Sequence, residues 1–300
     1  IEKILKLFIT YTIFMKNIAI HGSSGWLGRA ALYFLLEKDL ENFILTSNNY
    51  SKIIFENKTY PLIDNNEFSK IQSQEINILY IFGFPMDKLN NKKKLKVEFH
   101  KMMNEIEIFL KNNLVHKVFL ASSGVVSFQT NNKNKYNIYS HYKKEQEKKL
   151  KEFCDDMQIT LEVCRLFSVI APFYDLSKDF ALTSFIKSGQ NGEEILISNG
   201  DATRSYVNFE DVINFSFENS VNKTYDARTS NISINDLAKI VSQIFNVDLK
   251  VKFERDNKLS NYISNEDYFI NNMRKITPVN MASIKKIIDI TRKTNFELIK

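Results

Sequence analysis

Along the first half of the chain, short runs of apolar residues alternate with segments in which apolar residues recur at helical spacing. The run over 17–21 meets a cluster of glycines, and apolar residues then recur at helical spacing from Trp26 to Leu36. This order predicts a buried strand, a glycine turn and an amphipathic helix. Further runs of strand length cover residues 42–46, 59–63, 76–82, 117–121 and 159–167.

Segments with helical periodicity separate several of these runs. Helices are predicted over 99–111 and 139–153. Residues 87–101 are rich in lysine and asparagine, which is typical of a solvated loop or helix face. Strands and helices in this alternation form right-handed βαβ units around a parallel sheet. The predicted fold class is therefore α/β, with a Rossmann-type doubly wound parallel sheet over residues 15–170.

The elements become shorter and less regular after residue 170. We predict a smaller C-terminal α/β substrate-binding lobe, mainly over 171–300, from which some segments return to the first domain. It contains a loop over 172–179, helices over 180–188, 211–219, 233–245 and 281–299, and strands over 195–198 and 247–253.

Composition narrows the class of protein without identifying it. The chain has 300 residues, 44% of them hydrophobic, which excludes global disorder. The net charge of +6 comes from scattered lysines, so no nucleic-acid partner is predicted.

Residues 1–14 are too short, and their apolar pattern is too interrupted, to span a bilayer. We therefore predict no membrane partner, and we predict that these residues are a leader that lies outside the fold. Cys154 and Cys164 lack metal-ligand or disulfide spacing, so reduced thiols, no metal site and a cytoplasmic location are predicted.

The glycine turn suggests a bound dinucleotide. A Gly-x-x-Gly-x-x-Gly spacing between a strand and a helix permits a tight turn, close approach of the backbone to a pyrophosphate and tight packing of helix on strand. Amides at the start of the helix then face the anion. An ordinary strand-to-helix loop is the alternative. The predicted cofactor-binding residues here are Gly22, Ser24, Gly25, Trp26, Leu27 and Gly28.

The end of the second strand bears on the choice of cofactor. An acidic residue there binds the ribose hydroxyls of NAD and repels the 2′-phosphate of NADP. This chain has Thr46, Ser47, Asn48 and Asn49 instead. We therefore favour NADP(H), with NAD(H) also allowed, and predict that Ser47 and Asn48 bind the cofactor.

A serine, a tyrosine and a lysine form the candidate catalytic set. Tyr139 and Lys143 lie four residues apart on a predicted helix, so their side chains share one face. An ammonium beside a phenol favours the phenolate, and we expect Lys143 to lower the pKa of Tyr139. Ser123 follows the strand predicted over 117–121, at the end where such sheets bind ligands. Taken alone, the tyrosine and lysine are more typical of an exposed helix; the glycine spacing and the serine at the strand end, in this order, favour the catalytic interpretation.

The glycine turn, the serine at a strand end and the tyrosine–lysine pair follow one another in this order along the chain. With these motifs the chain resembles the extended short-chain dehydrogenase/reductase family, particularly its nucleotide-sugar epimerases, dehydratases and ketoreductases. The resemblance covers the chain from Met15 onward and includes the segments 120–126, 165–172 and 200–211. It implies that Tyr139 is the acid/base and that Lys143 holds the nicotinamide ribose. It also implies that Ser123 binds the reacting oxygen, that Arg204 pairs with the substrate diphosphate, and that a homodimer forms through the helix bearing Tyr139.

Some residues depart from the pattern of that family. Ser168 and Ala171 replace its Asn and Gly, and Gly124 and Val125 stand where its dehydratases carry Asp-Glu. Elimination of water needs that additional acid and base, which disfavours a dehydratase. The expected function is NADP(H)-dependent reduction of a keto group on a nucleotide-linked sugar. An NAD-dependent nucleotide-sugar 4-epimerase and a non-catalytic dinucleotide-binding protein are the alternatives.

Overall fold

A computed structural model describes residues 17–129, 137–178, 180–197, 202–251 and 261–300. The predicted leader and the first two residues of the segment 200–211 lie outside the described residues. The strands are β1 (Ile18–His21), β2 (Phe43–Leu45), β3 (Lys52–Phe55), β4 (Lys58–Pro61), β5 (Glu75–Ile76), β6 (Ile78–Ile81), β7 (Leu114–Val115), β8 (Lys117–Ser123), β9 (Thr160–Leu166), β10 (Ser168–Ile170), β11 (Ile195–Ile197), β12 (Thr203–Asn208), β13 (Lys223–Ala227), β14 (Ser230–Ser233), β15 (Leu249–Val251) and β16 (Phe296–Ile299). The helices are α1 (Trp26–Leu36), α2 (Asn65–Lys70), α3 (Lys92–Asn112), α4 (Gly124–Gln129), α5 (Ile138–Asp156), α6 (Ala181–Gln190), α7 (Phe209–Glu218), α8 (Ile234–Phe245), α9 (Tyr268–Asn272) and α10 (Met281–Lys293).

A parallel sheet in the order β2-β1-β6-β8-β9-β13 forms the centre of the molecule. Every residue of β1 and of β6 is buried, as expected for parallel strands covered on both faces. The chain places β2 on one side of β1 and β6 on the other, so the strand order reverses at β1. Ligands of doubly wound sheets bind at the carboxyl ends of the strands beside such a reversal. The predicted Rossmann-type sheet is confirmed.

Helices cover both faces of this sheet. Side chains of α1 and α7 belong to one apolar cluster, which includes Phe34 and Val212. The cluster on the other face includes Phe99 of α3 and Leu150 of α5. A third cluster joins α6, α8 and α10 in the C-terminal half. In the described part of the chain, no helix has both the length and the apolar character needed to cross a membrane.

The strand predicted over 59–63 does not join the central sheet. Most of it lies in β4, which pairs antiparallel with β3, and β3 pairs antiparallel with β16. Ile63 alone meets the central sheet, through a single bridge to Thr46. The sequence analysis also missed β13, which completes the sheet beside β9. The chain thus returns to the first half, although the boundary after residue 170 stays a prediction.

The predicted helix over 281–299 is wrong at its end. Helix α10 stops at Lys293, and the last residues form β16. A ring contact of Phe296 with Phe55, at a centroid distance of 6.3 Å, holds this strand against the first half of the chain, and the Phe296 ring also meets Phe173 at 5.1 Å. A short apolar run fits both periodicities, so tertiary packing decides its conformation.

The lysine-rich segment proves to be mainly helical. Helix α3 begins at Lys92, earlier than the predicted start at residue 99, because the side chain of Asn91 accepts a hydrogen bond from the N–H of Lys94 at 3.0 Å. Leu95 and Phe99 are buried while the lysines of the first turn are exposed. The segment therefore presents a solvated helix face, one of the two forms that its composition predicted.

Candidate active site

At two positions of the turn after β1, the conformation and packing of the backbone require glycine. Gly22 has φ +85°, a conformation that favours glycine, and a Cβ there would lie 2.5 Å from the N atom of Gly83. A Cβ on Gly28 would lie 2.2 Å from the carbonyl O of Gly22. Gly22 thus makes the tight turn, and Gly28 lets α1 pack closely on it, as the spacing predicts.

The middle glycine leaves the start of α1 open. A Cβ on Gly25 would meet only the carbonyl O of Gly22 within 4 Å, at an ordinary 3.4 Å. Gly25 is the N-cap of α1 and provides no side-chain hydrogen bond. The first N–H groups of the helix, at Trp26 and Leu27, therefore remain available to an anion. This open, amide-lined turn fits the pyrophosphate of a dinucleotide.

Neutral polar groups line the neighbouring end of β2. The Oγ atoms of Ser24 and Ser47 lie 2.8 Å apart, and the Asn48 side chain accepts a hydrogen bond from the N–H of Asn65 at 3.3 Å. Residues 46–49 contain no carboxylate that would repel a 2′-phosphate, and no cation that would attract one. These residues neither repel nor attract a 2′-phosphate, so the predicted preference for NADP(H) stays a prediction.

The structure brings Ser123 and Tyr139 together. Ser123 ends β8, at the carboxyl edge of the sheet, and its hydroxyl lies close enough to the phenol of Tyr139 to oppose the effect of burial on the pKa of that phenol. The edge of the Tyr139 ring meets Phe84, with ring centroids 5.2 Å apart. Phe84 directly follows Gly83, whose backbone is packed against Gly22. The glycine turn and the catalytic candidates are therefore parts of one continuous site.

Lys143 occupies the same side of helix α5 but is held by other groups. Its Nζ donates hydrogen bonds to the carbonyl O of Ala121 at 2.9 Å and to Oε1 of Gln146 at 3.0 Å. It also lies 5.0 Å from the centroid of the Phe84 ring. Burial lowers the pKa of Lys143 to about 7, and the Glu147 carboxylate opposes this shift. The lysine is thus poised to change charge near neutral pH.

The expected effect of Lys143 on Tyr139 is wrong for this structure. Burial raises the pKa of Tyr139 above its ordinary value, and the nearby Ser123 hydroxyl opposes this shift. A buried phenol is harder to ionise because the charged form loses its solvation, and the ammonium of Lys143 is engaged elsewhere. Tyr139 therefore holds its proton at neutral pH, which suits a proton donor.

The burial of Lys143 predicts a pH-dependent stability. Between pH 7 and its unperturbed value of 10.5, the unfolded chain binds the lysine proton more strongly than the folded chain. The free energy of unfolding should therefore rise with pH across this window, because the unfolded state binds more protons. Urea unfolding at several pH values measures this slope, and Lys143→Met should reduce it. Lys144→Met, at the exposed neighbouring position, is the matched control; an equal loss of slope in both variants would refute the assignment.

An ion pair between Arg165 and Glu147 connects the elements that carry the catalytic candidates. Arg165 donates from Nε and Nη2 to the Glu147 carboxylate at 3.0 and 2.7 Å, and Ser122 donates to Oε1 of Glu147 at 2.5 Å. These bonds join α5 to the adjacent ends of β8 and β9, next to Ser123 and Lys143. The guanidinium group of Arg165 therefore has a structural role. The sequence analysis missed Glu147, although it lies one helical turn after Lys143.

Arg204 lies beside a residue that the sequence analysis also missed. Its Nη1 donates to the carbonyl O of Thr203 at 3.1 Å, and its backbone forms a bridge with Tyr262. Burial raises the pKa of Tyr262, and the nearby Ser123 hydroxyl and Arg204 charge oppose this shift. Arg204 is thus near the catalytic candidates, while its pairing with a diphosphate stays a prediction. No spacing or periodicity around Tyr262 could have indicated its position.

Comparison with protein families and solved structures extends these observations. Residues 18–219 match the sequence model of the NAD dependent epimerase/dehydratase family. No curated protein sequence matches the chain significantly. Three solved structures show the similarity of the fold.

The first is the UDP-glucose 4-epimerase of Thermotoga maritima with UDP-glucose, with a TM-score of 0.71, 16% identity, and coverage of 92% of this chain and 99% of that one. The second is the UDP-N-acetylglucosamine 4-epimerase of Methanobrevibacter ruminantium M1, in complex with UDP-N-acetylmuramic acid, with a TM-score of 0.74, 18% identity, and coverage of 93% and 98%. The third is a GDP-L-fucose synthetase of Naegleria fowleri bound to NADP, with a TM-score of 0.68, 13% identity, and coverage of 93% of each chain. At these identities the neighbours show a shared fold.

Proposed function

The chain belongs to the NAD dependent epimerase/dehydratase family, and from this membership we propose that it is an oxidoreductase acting on a nucleotide-linked sugar. The observation that carries the proposal is the position of Tyr139 and Ser123 at the carboxyl edge of the sheet, where the ring contact of Tyr139 with Phe84 connects them to the glycine turn. The neighbours bound to UDP-glucose and to UDP-N-acetylmuramic acid support the substrate class.

In the proposed reaction each residue of the site has one task. The N–H groups of the turn after Gly25 bind the pyrophosphate, and Lys143 holds the nicotinamide ribose. A bound nicotinamide supplies or accepts a hydride. Tyr139 gives its proton to the carbonyl oxygen of the sugar, and Ser123 donates a hydrogen bond to the same oxygen. Arg204 binds the diphosphate of the substrate, for which a guanidinium is well suited.

We favour net reduction of a keto-sugar with NADP(H). Burial raises the pKa of Tyr139, so the free enzyme presents a protonated phenol, the form that reduction consumes. The neutral residues 46–49 do not repel a 2′-phosphate. A dehydratase stays disfavoured, because Gly124 and Val125 provide neither the acid nor the base of an elimination.

An NAD-dependent 4-epimerase is the second candidate, supported by contacts between the two halves of the chain. Trp26 Nε1 donates to the carbonyl O of Pro172, and Arg29 Nη2 donates to that of Phe173, both at 2.9 Å. These bonds tie α1 to the chain beyond β10. They fix the helix that begins at the glycine turn, and the fold neighbours include two nucleotide-sugar 4-epimerases, which supports this candidate.

A screen of nucleotide 4-keto sugars distinguishes these candidates. We expect NADPH to be oxidised faster than NADH, followed as loss of absorbance of the reduced cofactor. The purified protein is also denatured, and the released nucleotide is identified. Tightly retained NAD with sugar interconversion and no net consumption would replace the reductase by the epimerase. Dinucleotide binding without either reaction would show that the chain is a non-catalytic dinucleotide-binding protein.

The location and the assembly of the protein stay predictions. The sequence predicts the cytoplasm, and the resemblance implies a homodimer through α5. Size-exclusion chromatography with light scattering tests the dimer directly, because a monomeric mass would exclude it.

A further inference from the structure

The ammonium group of Lys143 is oriented by two hydrogen bonds. Its Nζ donates to the carbonyl O of Ala121 at 2.9 Å and to Oε1 of Gln146 at 3.0 Å. An ammonium group has three N–H donors. Two bonds to fixed acceptors prevent its rotation about the Cε–Nζ bond, so the direction of the third N–H is fixed as well. The two acceptors therefore decide where the remaining donor of Lys143 points.

Gln146 occupies a position at which its oxygen is useful and its nitrogen is not. It follows Lys143 by three residues on α5, a spacing at which the side chains of a helix meet. The residue is fully buried, and its Nε2 has no hydrogen-bond partner among the described residues. An unpaired N–H group in the interior costs free energy, which an apolar side chain of similar length avoids. The bond to Lys143 compensates for this cost.

The neighbouring carboxylate does not take the place of Gln146. The oxygens of Glu147 accept from Ser122 at 2.5 Å and from Arg165 at 2.7 and 3.0 Å. Glu147 acts on Lys143 through its charge, which favours the ammonium form. The other acceptor of the ammonium is a main-chain carbonyl. Gln146 is thus the acceptor that a substitution can remove without changing a charge.

The remaining groups near the ammonium are neutral at pH 7 or lie on the outer side of the helices. The ring of Phe84 has its centroid 5.0 Å from Nζ, and Tyr139 contacts the same ring. Burial raises the pKa of Tyr139, so its phenol is uncharged at this pH. On the adjacent α3, His100 lies 3.9 Å from Glu145, and both side chains are partly exposed. In the described part of the chain, Glu147 is therefore the charged side chain that acts on the ammonium.

We propose that Gln146 is a positioning residue for Lys143: its amide oxygen, together with the carbonyl O of Ala121, orients the ammonium so that the third N–H is presented to the nicotinamide ribose. The contact with the ribose rests on the proposed function, whereas the bond between Gln146 and the ammonium does not. An acceptor aimed at an ammonium favours its charged form. Without this acceptor, Lys143 is less well oriented and releases its proton more easily.

Urea unfolding of the full chain at several pH values tests the bond without cofactor or sugar. The Lys143→Met protein serves as the common reference, because its curve contains the other titrating groups. Relative to this reference, the free energy of unfolding of the unmodified protein should begin to rise near pH 7, where the folded chain releases the lysine proton before the unfolded chain does. Gln146→Met should move this onset to lower pH by about 1 unit, equivalent to one hydrogen bond to a charged group. An onset that stays in place or moves to higher pH would overturn the proposal.

A second variant and a control separate positioning from packing. Gln146→Glu keeps an acceptor oxygen and adds a negative charge, so it should move the onset to higher pH by about 1 unit or more. This variant decides the matter if Gln146→Met does not fold, and an onset that is unchanged or lower would reject the proposal. Gln243→Met makes the same substitution at an exposed position of α8 and should leave the onset in place. A loss of packing alone lowers the free energy of unfolding equally at every pH, so it does not move the onset.

Titration with NADPH and NADH tests the contact with the ribose. We expect Gln146→Met to weaken binding of the dinucleotide about 5- to 10-fold at pH 7, the loss that follows from one less well oriented hydrogen bond. Gln243→Met should bind it as the unmodified protein does. Unchanged binding in Gln146→Met together with a shifted onset would refute the proposed task of Lys143 at the ribose, while confirming that Gln146 orients the ammonium. The two results therefore distinguish an error in the proposed function from an error in the role of Gln146.

Discussion

Tyr139→Phe should lower kcat by about 10²- to 10⁴-fold, the range typical for loss of a positioned general acid. The phenylalanine keeps the ring contact with Phe84 and removes only the hydroxyl. Binding of the dinucleotide should therefore stay within about twofold, because the glycine turn is not altered. Steady-state kinetics with the sugar found in the screen, together with cofactor titration, measure both effects.

A second tyrosine on the same helix is the matched control. Tyr142 faces the core, where its ring lies 4.8 Å from that of Phe99, centroid to centroid. Tyr142→Phe should change kcat little, since its ring stays in that contact. Turnover that survives in Tyr139→Phe would exclude this phenol as the acid/base. Equal loss of cofactor binding and of turnover would instead mean that the ring of Tyr139 shapes the dinucleotide pocket.

Local sequence was sufficient to predict the first unit of the fold. The run that ends at His21, the glycine spacing and the helical pattern after Trp26 are each set by neighbouring residues, and they correspond to β1, the turn and α1. The steric demands on Gly22 and Gly28 are also local. Spacing placed Tyr139 and Lys143 on one helix for the same reason. Predictions succeed here because the physical cause lies within a few residues of its effect.

Features that depend on distant contacts were missed or wrong. β16 becomes a strand because Phe296 packs against Phe55, far away in the sequence. Tyr262 lies beside Arg204 only because its backbone pairs with β12. The pKa of Tyr139 is raised because packing desolvates the phenol, and proximity to Lys143 on the helix does not reveal this. Tertiary packing decides burial, so charge states in the site require the folded structure.

Gly28→Ala should destabilise the fold and abolish dinucleotide binding. The added Cβ would lie 2.2 Å from the carbonyl O of Gly22 and 2.8 Å from Cα of Ser23. Both are backbone atoms, so α1 has to move away from the turn to relieve the overlap. Overpacking of this kind costs about 1–3 kcal/mol in the free energy of unfolding, more than the gain of up to about 1 kcal/mol from helix propensity. Displacement of the first helical amides should also remove their contacts with the pyrophosphate.

Gly25→Ala separates stability from binding, because its Cβ would make only an ordinary contact and its φ of −70° suits alanine. The free energy of unfolding should change by less than about 1 kcal/mol, because the entropy that alanine removes from the unfolded chain is offset by its poorer fit at an N-cap. Dinucleotide binding should still weaken, since the methyl group occupies the approach of the pyrophosphate to the helix. Urea unfolding gives the stability, and fluorescence of Trp26, the single tryptophan of the chain and the first residue of α1, reports binding. If Gly25→Ala binds the dinucleotide as tightly as the unmodified protein, the pyrophosphate does not lie over this turn, and the assignment of the whole cofactor site fails with it.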